Sequence, residues 1–202
     1  MKDCIVIGYS GHAFVVVDAL IESGWTLIGY CENEVKQLNP FELTYLGKDA
    51  VELLENKNWI VAIGDNSIRE KIYEKFMSTG SFVSVIHPSA TVAQLADIGR
   101  GSLVAAKAVI NPAARVGKGV IINTAAVIEH ECEVGDFSHI APGAVLTGKV
   151  KVGKRSFIGA NAVVKQQVCI GDDVIIGAGA VIIKDVPNGA TVVGNPGRII
   201  MK

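Results

Sequence analysis

Starting at Ile86, every sixth residue as far as Ile182 is aliphatic, seventeen consecutive positions of Ile, Val or Leu. An α-helix cannot hold such a repeat on one face, because 3.6 residues per turn does not divide six. The period suits short strands joined by tight turns. Two positions ahead of the aliphatics stands a small or slim residue, from Ala96 and Ser102 through Ala144 to Ala180. Gly99, Gly117, Gly135, Gly153 and Gly171 add a slower period of eighteen. Three hexapeptides therefore make one coil. The pattern predicts a triangular prism of parallel β-coils. Its aliphatics point inward, its small residues let the corners close, and its glycines stack at one corner for positive φ or close approach.

Residues 1–85 have no such clock. Cys4-Ile5-Val6-Ile7 is a short buried strand ending at Gly8, and Phe14 to Ile21 fits a helix. Trp25 to Tyr30, Trp59 to Ile63 and Phe82 to Ile86 are further strands, and Asn66 or Ser67 can cap a helix running to about Met77. Strands alternating with helices predict a small Rossmann-like α/β unit, placed before a β-helix of residues 86–202. Such units bind ligands at the carboxyl ends of their strands, where helix N-termini offer free N–H groups to phosphate. Gly8 and Gly11 sit there, and Glu32 follows where an acid often takes ribose hydroxyls. The spacing G-x-x-G, with Ala13 next, fails as a nicotinamide signature but suits a nucleotide diphosphate.

Half the residues are hydrophobic and only 6% aromatic, so the core must be built from Val, Ile and Ala. A net charge of −1 argues against general nucleic-acid binding. The charge is uneven: from residue 145 on there are eight Lys or Arg against three Asp, which suits a polyanionic small ligand such as coenzyme A. Cys4, Cys31, Cys132 and Cys169 are scattered, without a CxxC pair, as expected of thiols in a reducing compartment. No apolar run reaches the roughly 18 residues that cross a bilayer, and Lys2-Asp3 does not open a signal peptide. The expectation is a cytoplasmic protein without membrane insertion.

Of the four histidines, His12 follows the glycine turn, His87 stands at the junction before Pro88, and His130 and His139 lie in the coils. The run Glu129-His130-Glu131 puts three ionisable residues into an otherwise small, neutral repeat.

Residues 121–132, Ile-Ile-Asn-Thr-Ala-Ala-Val-Ile-Glu-His-Glu-Cys, are followed by Val134-Gly135-Asp136-Phe137-Ser138-His139-Ile140 and Pro142-Gly143-Ala144. Together with Gly8-x-Ser10-Gly11-His12, Ala62-Ile63-Gly64-Asp65-Asn66 with Arg69, and Gly194-Asn195-Pro196-Gly197-Arg198, they resemble the sialic acid O-acetyltransferase (NeuD) and PglD family of sugar acyltransferases. The resemblance covers nearly the whole chain. It implies a left-handed β-helix, a homotrimer, and acetyl-CoA as co-substrate held between neighbouring subunits without any metal. It further implies His130 as general base with Glu131 as its partner, and His139, Gly148, Ala160 and Ala178 along acetyl-CoA, the Gly148 N–H meeting the thioester oxygen. Ser10, Gly11, His12, Glu32, Asn33 and Gly64 would hold a UDP-amino-sugar. Where the family often has paired Asp after the second strand, this chain has Cys31-Glu32-Asn33. A histidine ordinarily changes charge near neutral pH, which suits taking a proton from an amine or hydroxyl as it attacks a thioester.

The leading expectation is N-acetylation of a UDP-4-amino-4,6-dideoxy sugar in bacterial glycan synthesis. O-acetylation of sialic acid or another sugar keeps the chemistry and changes the acceptor. A γ-type carbonic anhydrase shares the prism but needs three metal histidines across an interface, and the coils carry only two. A non-catalytic solenoid is the remaining reading.

Overall fold

A computed structural model describes residues 2–200. A four-stranded parallel sheet comes first, built from β1 (Asp3–Ile7), β2 (Thr26–Cys31), β3 (Asn58–Val61) and β4 (Ser81–Phe82) in the order β2-β1-β3-β4. Its strands are near-continuous apolar runs because helices cover them: α1 (Gly11–Glu22), the short α2 (Val51–Leu54) and α3 (Asn66–Phe76). Sequence periodicity misses α2. The cap of α3 is Asp65, not Asn66 or Ser67, since its carboxylate accepts the Ile68 N–H at 2.8 Å. The expected single strand from Phe82 to Ile86 is two strands. Ser81–Phe82 closes the α/β sheet, and Val85–Ile86 already pairs with Leu103–Val104 of the coils.

From Val85 onward two-residue strands repeat every six residues and stack in parallel on three faces, making about six turns of a left-handed β-helix. Each strand's second residue is the clock aliphatic, and from Val104 to Ile182 all of these are buried. Ile86 is 41% exposed because no coil lies above it. The small residues two positions earlier also point inward. Ser102, Ser138 and Ser156 are fully buried there, and their hydroxyls donate to Gly117 O, Gly153 O and Gly171 O of the next coil at 2.9, 2.6 and 2.7 Å.

From Gly101 on, each corner is a two-residue turn whose second residue has positive φ. The series runs Gly101, Lys107, Ala113, Gly119, Ala125, Glu131, Phe137, Gly143, Lys149, Arg155, Asn161, Gln167, Asp173 and Gly179. Most of these are not glycine. The stacked glycines of the eighteen-residue period sit one position ahead of such a turn, with ordinary φ. A Cβ on Gly99 would lie 2.5 Å from the Gly117 carbonyl carbon, so close approach of successive coils is the reason for them.

The first residue of each strand faces outward, and the three faces differ. Val85, Leu103 and Ile121 of the first face are buried under α1 with Val16, Val17 and Leu20. The second face presents Thr91, Val109, Val127, Val145, Val163 and Val181, all partly or fully exposed. The third presents Asp97, Arg115, Glu133, Lys151 and Cys169.

Candidate active site

His130 and Glu131 occupy one corner turn, between the second and third faces. Glu131 takes the positive-φ position at 59°, which turns its side chain alongside its neighbour's instead of onto the opposite side of a strand. His130 Nδ1 lies 3.1 Å from Glu131 Oε2, and Lys149 Nζ, one coil further on, lies 3.6 Å from Glu131 Oε1. The imidazole's hydrogen bond, then the lysine's charge, hold the Glu131 carboxyl below the usual carboxylate range. Glu131 is therefore an anion that fixes the ring through Nδ1 and leaves Nε2 for chemistry.

Gly148 stands in the same corner column, one coil on. A Cβ there would lie 2.6 Å from both Cε1 and Nε2 of His130, so the ring rests where a side chain would otherwise be. The equivalent first turn position is proline at residues 88, 112 and 142. That position's N–H is thus not needed by the coil ladder, and the Gly148 N–H is available to a ligand. His130, Thr147, Gly148, Lys149, Gln166 and Gln167 line a 380 Å³ cleft here.

The other expected residues gather elsewhere. Ser10 N-caps α1 without a side-chain bond, so its hydroxyl is free beside the exposed Gly11. A Cβ on Gly11 would meet nothing within 4 Å. Glu32 Oε2 accepts the Tyr9 N–H at 3.1 Å and pairs with Lys36 at 3.4 Å, which brings the acid to the mouth of the first βα turn with the exposed Asn33 beside it. His12 packs on Gly64, and its ring centroid lies 5.9 Å from that of His139. Burial, with the Arg69 charge, pushes His12 down to about 4. Burial, His12 and Arg69 push His139 down to about 3. Both rings are therefore neutral at physiological pH.

His139 is on the first face beneath the α/β unit, with Nε2 3.0 Å from Asn123 Nδ2, and not in the His130 cleft. Next to this junction, Gly64, Asp65, Asn66, Arg155, Phe157 and Ile175 border a cavity of about 510 Å³. Ala160 and Ala178 occupy a third place, the corner column between the first and second faces. One chain thus brings together His130, Glu131 and Gly148, and separately His12, Gly64 and His139. Sequence reading did not single out Lys149, Asn123 or the packing of His12 on His139. The eighteen-residue period could have flagged Lys149, which lies eighteen positions past Glu131.

Comparison with known proteins places this arrangement. Residues 3–76 match the PglD N-terminal domain, and residues 149–184 match the bacterial transferase hexapeptide of six repeats. The acetyltransferase domain of PglB from Neisseria gonorrhoeae is 36% identical, covers 99% of this chain and is itself covered completely, with a TM-score of 0.92. The chain belongs to the PglD-type hexapeptide-repeat acetyltransferases. Its relatives in this family include that same Neisseria domain solved in complex with acetyl coenzyme A, at 37% identity and a TM-score of 0.93, over 98% of this chain and 99% of that one. A variant of perosamine N-acetyltransferase from Caulobacter crescentus, solved with CoA and GDP-perosamine, is 35% identical over 99% of this chain and 97% of its own, with a TM-score of 0.94. A Bacillus subtilis protein described as UDP-N-acetylbacillosamine N-acetyltransferase is 34% identical over 113 residues. That match spans about half, 52%, of each of the two chains. Among the described residues no three His, Cys, Asp or Glu side chains gather as a metal site, and no helix is long and apolar enough to cross a membrane.

Proposed function

We propose that this chain transfers the acetyl group of acetyl-CoA to the amine of a nucleotide-linked amino sugar, with a UDP-4-amino-4,6-dideoxy sugar as the acceptor class, in bacterial glycan synthesis. The observation that carries the reading is the His130–Glu131 pair at 3.1 Å on a corner directly over Gly148. His130 Nε2 takes a proton from the attacking amine as the C–N bond forms and the thioester C–S bond breaks. The proton then passes to the departing thiolate. The Gly148 N–H meets the thioester oxygen as it gains charge. The relatives named for their activity are N-acetyltransferases on UDP- and GDP-linked amino sugars, which favours nitrogen over oxygen as the nucleophile.

Residues 1–85 supply the nucleotide-sugar side through Ser10, Gly11, His12, Glu32, Asn33 and Gly64, and residues 86–202 supply the acetyl-CoA side. The second face supports a homotrimer. Five outward valines in a row form an apolar strip that no element among the described residues covers, which is what a neighbouring copy would bury. Ala160, Ala178 and His139 would then meet the His130 corner of the neighbouring copy across acetyl-CoA. All four cysteines are free thiols, consistent with a reducing cytoplasm.

The test is thiol release from acetyl-CoA, screened against UDP- and GDP-linked amino sugars and free sialic acids. Turnover on an amino sugar should fall by about 10²–10⁴-fold in His130→Ala. Transfer confined to sialic acid hydroxyls, or a variant retaining half its activity, would overturn the reading.

A further inference from the structure

Arg69 on α3 is 1% exposed, and no carboxylate pairs with it among the described residues. The nearby Asp65 carboxylate is occupied in capping α3. A buried cation without a counter-ion is costly, and burial pulls this guanidinium down to about 10. Its hydrogen bonds are nonetheless complete, and they reach in two directions. Nη1 donates to Ile63 O and Gly64 O at 3.0 and 3.1 Å, at the end of β3. Nε donates to Gly119 O at 2.7 Å, and Nη2 to Phe137 O and Ser138 O at 2.7 and 3.3 Å, at one corner of the β-helix on two successive coils. Asn66 Oδ1 takes a further Nη2 bond at 2.8 Å, while its own amide donates to Arg155 O at 2.8 Å.

The acceptors are informative. Gly64 is the residue on which His12 packs, and Ser138 immediately precedes His139. The guanidinium therefore spans from the support of one imidazole to the support of the other. Two buried ring nitrogens lack a well-formed hydrogen bond, His12 Nε2 and His139 Nδ1, the His139 ring facing the Gly64 backbone. Buried polar groups in native proteins are nearly always bonded, so these nitrogens suit a polar group that arrives with a ligand. A hydrophobic strut could have joined the two units at less cost, but it could not have held two sets of carbonyls at one fixed separation.

We infer that Arg69 is a positioning residue: by tying the Gly64 carbonyl to the Phe137–Ser138 carbonyls it sets the relative placement of His12 and His139, through which they meet a polar group of the substrate. The inference rests on the acetyltransferase reading for what the two rings meet, but not for their placement by Arg69. The charged and titratable neighbours of the pair are Arg69 and the two imidazoles themselves, with Asp65 facing Arg69.

The chain has only four histidines, so selective ¹⁵N-histidine labelling resolves each ring. Arg69→Lys keeps the charge but offers a point donor that cannot serve both sets of carbonyls. Asn66→Ala loosens the same joint should the lysine variant not fold. In the ligand-free folded protein, either change should shift the His12 and His139 ring signals and leave His130 and His87 in place. With an accepted nucleotide sugar, kcat/KM should fall at least about tenfold, as for a misplacement near 1 Å or less. Lowered stability with unmoved rings and unchanged kcat/KM would overturn the inference and leave Arg69 a plain strut. Shifted rings in a protein whose wild type acetylates no nucleotide sugar would support the positioning role while sinking the acetyltransferase reading.

Discussion

Gly148→Ala separates the placement of the His130 ring from everything else the corner does. The alanine Cβ would stand 2.6 Å from His130 Cε1 and Nε2, whereas an ordinary contact is 3.4–4 Å. The ring must then retreat by 3.4 − 2.6, or about 0.8 Å, at the least. Gly148 has no positive φ, so alanine fits its backbone, and the N–H offered to the thioester oxygen is retained. The His130 side chain is 55% exposed, so it can swing aside with little loss of packing. Its bond to Glu131, however, is stretched or lost, and Nε2 leaves its line to the incoming amine. A misplacement of about 1 Å costs on the order of 10²-fold in rate. The expected variant therefore has wild-type thermal stability and a kcat lower by about two orders of magnitude, with KM for acetyl-CoA little changed. Thiol release and a thermal melt on the same preparation read both quantities. A folded variant with kcat within about threefold of wild type would show that the ring's seat over Gly148 has no part in catalysis.

Gly11→Trp fills open space at the proposed nucleotide site, so it should raise KM for the nucleotide sugar about tenfold or more and leave KM for acetyl-CoA alone. Equal effects on both would remove Gly11 from that site. Val145→Asp puts a carboxylate into the valine strip and, on the proposed trimer, should shift the sedimenting species toward monomer; a trimer that the change leaves intact would mean another face makes the interface. Stability should also fall with acid. His12 and His139 have folded-state values of about 4 and about 3, below the ordinary ~6.5, so the unfolded chain binds these protons first. Their contribution is complete above pH ~6.5 and is lost as pH falls toward the folded values, on the order of 2 kcal/mol for His139 by pH 4.5. Urea midpoints at pH 7 and 4.5 should lie closer together in His139→Asn than in wild type. Identical losses would show that His139 is not a source of the acid sensitivity.

The inward half of the coils was legible because one physical demand, a narrow aliphatic core, repeats without exception from Val104 to Ile182. The corners were less so. Positive φ recurs at every turn from Gly101 to Gly179, yet it falls on Lys107, Glu131, Phe137 and Arg155 as readily as on glycine, so composition hides it. The visible glycines mark a different constraint, the approach of successive coils. In the α/β unit the strands were legible from their apolar runs, while the four-residue α2 offered too few turns for a helical period. Of the candidate site, the charged run at His130 stood out from a neutral repeat. The Arg69 bridge could not be foreseen, because its acceptors lie 50 and 68 residues away and are backbone carbonyls, which carry no sequence signature.

The outward positions hold a signal that the six-residue clock overlooks. Sorted by eighteen instead of six, the residue before each aliphatic separates into three columns with three fates. The first column begins Val85, Leu103, Ile121 and turns to His139 and Phe157 where α1 no longer covers it. The second is nearly all valine, and the third alternates Asp97, Arg115, Glu133 and Lys151 with its charges toward water. His130 stands at the edge where the valine column meets the charged one, while His139 stands on the face shared with the α/β unit. A corner and a face so separated cannot act on one bond within a single prism. The valine face lies between them, and a second copy seated on it would bring its own His12–His139 junction toward the first copy's His130. On the proposed assembly the apolar strip and the divided site would be two consequences of one interface, and disrupting the strip should then abolish turnover although the valines stand on a different face from His130 and His139.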